Sequence, residues 1–200
     1  MYDNHTISFV SFANSRYASQ ERIKREAEEM RFFDYIYVGD EHMLEPWYYK
    51  KYKDRWSERG YGYWQWKPYI IRRVIDRMEE GDYLVYADAG CTLNPRGIPR
   101  LKEYLQMVTD SPCGVLGFDQ HFREAEWTKA DLFDHFRALD NPMYMDYGQT
   151  SGTCIYAKAL STSGTTSCIS TTTWLPTHPP SCPTYLTYKR TATTKVSSLY

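Results

Sequence analysis

No run in this chain approaches the roughly 18 consecutive apolar residues that a membrane-spanning helix needs. The first residues, MYDNHTISFVSFAN, have neither a basic stretch nor a long apolar one. Membrane insertion and export are therefore not expected, and the chain reads as cytoplasmic. Net charge is equally scarce: 24 Lys and Arg against 25 Asp and Glu leave a formal −1. Without a polybasic field there is no electrostatic footprint for nucleic acid. The five cysteines, Cys91, Cys113, Cys154, Cys168 and Cys182, form no CxxC pair and no zinc-type spacing with histidine. Reduced thiols are the expectation. Also missing are a GxGxxG turn opening a helix, a GxxxxGK[ST] loop and a serine elbow. Their absence argues against a dinucleotide oxidoreductase, a P-loop enzyme and an elbow-type serine hydrolase.

What is plentiful is aromatic surface, 16 % of the chain with 19 Tyr and 6 Trp. Flat amphipathic rings pack on a base or a sugar, so a cleft lined by them is expected. The 200 residues suit one α/β domain, and a chain of this size buries roughly 70 % of the surface it exposes when unfolded. Apolar runs at Thr6–Phe12, Tyr35–Val38, Tyr83–Ala87, Gly114–Phe118 and Thr153–Ala157 read as strands. Between them, Ser19–Phe33, Lys67–Met78, Pro99–Val108 and Thr128–Leu139 read as helices. That alternation predicts a mostly parallel sheet with helices on both faces. Residues 41–59 are expected to form an irregular or short-helical excursion near a cleft.

Chemistry concentrates at two places. Tyr86-Ala87-Asp88-Ala89-Gly90 closes the most apolar strand, and ligands of open α/β sheets bind just outside such strand ends. A carboxylate there either holds an oxygen-preferring cation against a diphosphate or caps the following turn. Arg59-Gly60-Tyr61-Gly62-Tyr63-Trp64-Gln65-Trp66-Lys67-Pro68 runs into a helix N-terminus. Lys67 and the helix dipole favour a phosphate there, or the loop simply packs with Lys67 in solvent.

GYGYWQWKPYII followed by GDYLVYADAGCTLN resembles the small GT-A-type glycosyltransferases of bacteria and large DNA viruses that share a GYWxWKP segment and a D-A-G variant of the DXD motif. The likeness runs from about Ile7 to Tyr156 and includes Glu126-Trp127-Thr128-Lys129 and Gln149-Thr150-Ser151-Gly152. It implies a GT-A-like (Rossmann-like) domain over residues 1–160. The implied activity is transfer of a sugar from a nucleotide-diphospho-sugar donor to a hydroxyl of a glycan or glycoconjugate acceptor, with Mn²⁺ or Mg²⁺ on the diphosphate. Asp88 matches the second acid of DXD and is the expected metal ligand, whereas Tyr86 occupies the first acid's place. Ser11, Arg16, Trp66, Lys67, Ala87 and Gln149 are the expected donor-binding residues. Asp119 and Glu126, in a polar cluster with His121 and Glu124, are the expected sources of a catalytic base, against a bland reading of each as a loop charge.

Two rival readings fit parts of the same pattern. An aspartyl-phosphate phosphatase needs a second acid two residues after Asp88, where Gly90 stands. A non-catalytic nucleotide-sugar-binding module accommodates the missing first acid. Residues 161–200 change character abruptly: 19 are Ser or Thr, none is Asp or Glu, and all acids lie at or before Asp146. The stretch reads as an irregular Ser/Thr/Pro-rich tail, and a reading-frame shift near residue 159 is the expectation that accounts for it.

Overall fold

The computed structural model describes residues 2–57, 59–128, 130–139 and 141–160. The expectation for the Ser/Thr/Pro-rich tail at 161–200 lies outside the described residues. Five strands make one sheet: β1 (Ile7–Phe12), β2 (Tyr35–Gly39), β3 (Tyr83–Ala87), β4 (Val115–Arg123) and β5 (Gly148–Lys158). The spatial order is β2-β1-β3-β5-β4. All six residues of β1 and all five of β3 are buried, which is why their sequences run apolar without alternation.

Helices cover both faces. On one, α1 (Ser19–Met30) and α4 (Ile98–Asp110) pack Ile23, Ala27, Leu101 and Leu105 against Ile7, Phe9, Tyr83 and Val85. On the other, α3 (Trp66–Ile75) packs Ile70, Ile71 and Val74 against Val10, Phe12, Leu84 and Tyr86. The period of two along each strand divides its residues between these layers. Between β2 and α3 the expected excursion contains one short helix, α2 (Pro46–Lys51). Three further short helices, α5 (Glu124–Trp127), α6 (Ala130–His135) and α7 (Pro142–Met145), link β4 to β5.

The expectation of a mostly parallel sheet needs correction. β1 pairs in parallel with β2 and β3, but β5 runs antiparallel to both of its neighbours, β3 and β4. The architecture is a mixed α/β sheet flanked by helices. The cause lies in the β4–β5 connection. A parallel return requires a crossover that carries the chain back along a sheet face. Here Glu124 N donates to Tyr147 O at 2.9 Å, so β4 ends and β5 begins at the same end of the sheet. Of the single helix expected over Thr128–Leu139, the structure has the short helix α6 (Ala130–His135). Among the described residues no helix is long and apolar enough to cross a membrane.

Candidate functional site

The chain leaves β1 through α1 to reach β2 on one side, and returns from β2 through α3 to reach β3 on the other. Because α1 and α3 lie on opposite faces, their loops diverge at the carboxyl ends of β1 and β3. This is a topological switch point, where a crevice opens in α/β sheets. Ser11 and Phe12 end β1, and Asp88-Ala89-Gly90 follow β3. An ideal Cβ built on Gly90 meets nothing within 4 Å, so the space beside this turn is open.

Two aspartates bracket β3 and differ in what they hold. Asp82, before the strand, accepts from the backbone N–H groups of Thr6 at 2.8 Å and Glu79 at 3.1 Å. It is a structural clamp. Asp88, after the strand, accepts only from side chains among the described residues. Lys67 Nζ lies 2.8 Å from its Oδ1, and the Tyr86 hydroxyl donates to the same oxygen at 2.5 Å. The Asp88 side chain keeps 33 % of its exposure. Both partners therefore hold the same oxygen of a carboxylate that stays part-exposed.

Lys67 is buried and sits in the first turn of α3. It donates to the Gly152 carbonyl at 2.8 Å and lies 5.0 Å from the Tyr86 ring centroid. A buried ammonium requires such partners. Tyr86 is fully buried, and burial together with the Asp88 charge raises its hydroxyl pKa well above the ordinary value. It therefore stays protonated and remains a donor to Asp88. Ala87 contributes backbone only, in register with Cys154.

The turn after β3 is clamped by α1. Arg22 donates to Ala89 O at 2.7 Å, and Glu26 accepts from Leu93 N at 2.9 Å. Cys91 N donates to Asp88 O at 2.8 Å, folding the chain back toward Cys154. The Cys154 thiol hydrogen-bonds Cys91, which lowers the pKa of Cys91 and raises that of Cys154. Cys91, Cys113 and Cys154 are free thiols, as expected; Cys168 and Cys182 lie outside the described residues.

The GYGYW loop is a left-handed turn. Gly60, Tyr61, Gly62, Tyr63 and Trp64 all have positive φ, between 52° and 80°. Glycine adopts this region freely, while each of the three aromatic residues is strained by roughly 1–2 kcal/mol. The turn leaves the Tyr63 and Trp64 rings exposed and packs Tyr61 and the following Trp66 inward. Trp66 is buried, stacks on Phe12 at 4.1 Å and donates its indole N–H to Gly60 O at 3.1 Å. Trp56 stacks on Tyr61 at 5.0 Å. The expected ring-lined cleft is thus largely a packed aromatic cluster, and Trp66 braces the loop that precedes Lys67. Lys67 itself is not in solvent, the alternative that the loop's composition left open.

The loop after β1 is tied down by Glu41, which accepts from Ser15 N at 2.8 Å and Ser15 Oγ at 2.6 Å. Arg16 is exposed beside it. Ser11 is wholly buried, and its hydroxyl has no partner among the described residues.

At the β4–β5 end an open cleft of about 290 Å³ is lined by Gln120, Phe122, Trp127, Gln149, Thr150, Ser151, Gly152 and Thr153. Gln149 is thus on a concave surface. The cleft adjoins the ion pair, because Gly152 O holds Lys67 and Thr153 O accepts from Asp88 N at 2.9 Å. Asp119 pairs with Thr150 across the strands. Burial raises its pKa, against hydrogen bonds from Tyr147 and Thr150 that act the other way. Glu126 is exposed on α5. Glu124 is the buried acid of that helix, only 5 % exposed, with its pKa raised by burial and by the charge of Asp119. It accepts from the Thr128 hydroxyl. Glu124 belongs to the expected polar cluster, but nothing in E-A-E-W says that it, and not Glu126, turns inward.

Among the described residues no group of three His, Cys, Asp or Glu side chains could hold a metal ion. The donor set does not suit a resident cation. One exposed carboxylate does suit Mg²⁺ or Mn²⁺ arriving on a diphosphate, since such ions take most of their ligands from phosphate and water.

Compared with protein-family models, curated proteins and solved structures, the chain matches none.

Proposed function

We propose that the chain is a glycosyltransferase domain that binds a nucleotide-diphospho-sugar at the β1/β3 switch point. The observation that carries this reading is Asp88: a part-exposed carboxylate at the carboxyl end of a buried parallel strand, paired with a buried lysine. A purely structural aspartate would be spent on backbone, as Asp82 is.

Lys67 has three ammonium hydrogens, and two are committed to Asp88 and Gly152. The third donates to a phosphate oxygen of the donor. Held at the first turn of α3, it places positive charge where the leaving diphosphate gains negative charge. A divalent ion carried in by the donor, held by Asp88, would add to that neutralisation. Tyr86 fixes the rotamer of Asp88 from beneath. Transfer forms a bond from the acceptor oxygen to the anomeric carbon and breaks the bond to the diphosphate oxygen. The acceptor's proton passes to a carboxylate: Asp119 and Glu126 are both exposed, and Asp119 is the one whose pKa is raised by desolvation and which lies across from Thr150. Along β5, Thr150 beside Asp119 and Thr153 beside Asp88 are three residues apart, about 10 Å, which is room for a sugar between them.

Release of free sugar from a panel of nucleotide sugars with Mn²⁺ tests the proposal. Turnover is expected with one donor and its loss in Asp88→Ala. The ion pair within the site favours one second reading, a non-catalytic nucleotide-sugar-binding module, because Lys67 already neutralises the single acid. Tight donor binding without turnover would establish that reading, and no binding of any nucleotide sugar would remove both.

A further inference from the structure

The cleft at the β4–β5 end differs in chemistry from the Lys67–Asp88 pair that it adjoins. None of the described residues lining it is charged. Its polar groups are the amides of Gln120 and Gln149 and the hydroxyls of Thr150, Ser151 and Thr153, each able both to donate and to accept. Its apolar surface is two rings: Phe122, 38 % exposed, and Trp127, 60 % exposed, with centroids 5.2 Å apart and planes inclined at 54°. A folded chain does not gain by leaving two large rings side by side in water, and exposed apolar patches rimmed by polar groups mark binding sites.

We propose that this cleft binds a neutral pyranose. A pyranose chair offers a C–H face that packs on aromatic rings and a rim of hydroxyls that both donate and accept, matching the side chains present. The inclination of the two rings suits a puckered chair. A flat nucleobase would require parallel faces. The absence of a cation among the described lining residues disfavours a phosphorylated or acidic sugar. A volume near 290 Å³ lies at the small end of ligand sites, which run from about 300 to 1,000 Å³, and fits one or two sugar rings. The Gly152 carbonyl at the cleft's end is bonded to Lys67, so a bound sugar presents its hydroxyls toward the charged pair. Its role as the acceptor rests on the donor site proposed above; the binding itself does not.

Saturation-transfer NMR without nucleotide tests the inference. The probes are methyl glucoside, galactoside, mannoside and rhamnoside, with adenosine and glucose 6-phosphate as comparators. Transfer to the C–H protons of at least one methyl pyranoside is expected. Trp127→Ala should weaken it roughly tenfold, the order of one aromatic contact, and Lys24→Met, on the exposed face of α1, should leave it unchanged. Trp127 is exposed, so its replacement keeps the fold, which circular dichroism verifies. The inference falls if no pyranoside shows transfer, if Trp127→Ala and Phe122→Ala both retain it in full, or if adenosine or the phosphate ester is preferred. Pyranoside binding by a protein that binds no nucleotide sugar would keep this cleft and remove the donor reading. Nucleotide-sugar binding without any pyranoside signal would do the reverse.

Discussion

Lys67 Nζ stands 2.8 Å from Asp88 Oδ1 although 21 residues separate them in the chain. One comes from the first turn of a helix and the other from the end of a buried strand, so packing of α3 on the sheet is what brings them together. The ammonium also holds β5 through Gly152. The pair therefore links three elements at the mouth of the crevice.

Removing the cation should cost both stability and binding. In Lys67→Met, Gly152 O loses its partner and Asp88 keeps only Tyr86. Urea unfolding is expected to show a loss of about 1–3 kcal/mol. Thermal shift by a nucleoside diphosphate should disappear together with it.

Tyr86 precedes Asp88 by two residues near the end of β3. Its ring is fully buried between the sheet and α3, where a carboxylate would be uncompensated. Tyr86→Asp is expected to destabilise the domain by roughly 3–5 kcal/mol, as when a buried charge loses its partner. Tyr86→Phe should keep the fold within about 1.5 kcal/mol, the worth of one hydrogen bond, while weakening the donor-dependent thermal shift. Equal stability of the two variants would contradict this account.

The left-handed turn makes opposite predictions for neighbouring residues. A Cβ on Gly60 would approach the Trp64 ring to 2.4 Å at φ +63°, so Gly60→Ala should destabilise by about 1–3 kcal/mol. Tyr63 is 54 % exposed at φ 52°. Tyr63→Gly should stabilise by up to about 1 kcal/mol, because relief of strain outweighs the entropy gained by the unfolded chain. Calorimetric melting of the two variants gives both signs.

Asp119 and Glu124 impose a pH dependence of known sign. Both have folded pKa values raised above the ordinary 3.8 and 4.5, chiefly by burial. Between the unfolded and the raised folded values the native state binds more protons, so their contribution to stability falls as pH rises through that window and is constant above it. Asp40, Glu41 and Glu45 are lowered and act in the opposite sense. The readout is therefore the difference between wild type and an Asp119→Asn, Glu124→Gln double variant. The variant should gain stability relative to wild type as pH increases from about 4; a difference independent of pH would refute the assignment.

The strands β1, β2 and β3, helices α1, α3 and α4, and the position of Asp88 at a strand end were legible in the chain itself, because each follows from local periodicity and from turn residues such as Gly81-Asp82. β4 and β5 were placed but cut short. Their outer halves, such as Asp119–Arg123, are polar and half-open, so no apolar run marks them.

What the amino-acid order determined alone was the type of the segments β1, β2, β3, α1, α3 and α4 and the burial of their apolar residues, since those depend on neighbours a few residues away. Tertiary structure alone decided that β5 inserts backwards between β3 and β4, that Lys67 is buried against Asp88, and that Glu124 faces inward in place of Glu126. Strand direction, ion pairing and the choice between two nearby acids depend on contacts between residues far apart in the chain, and no local pattern encodes them.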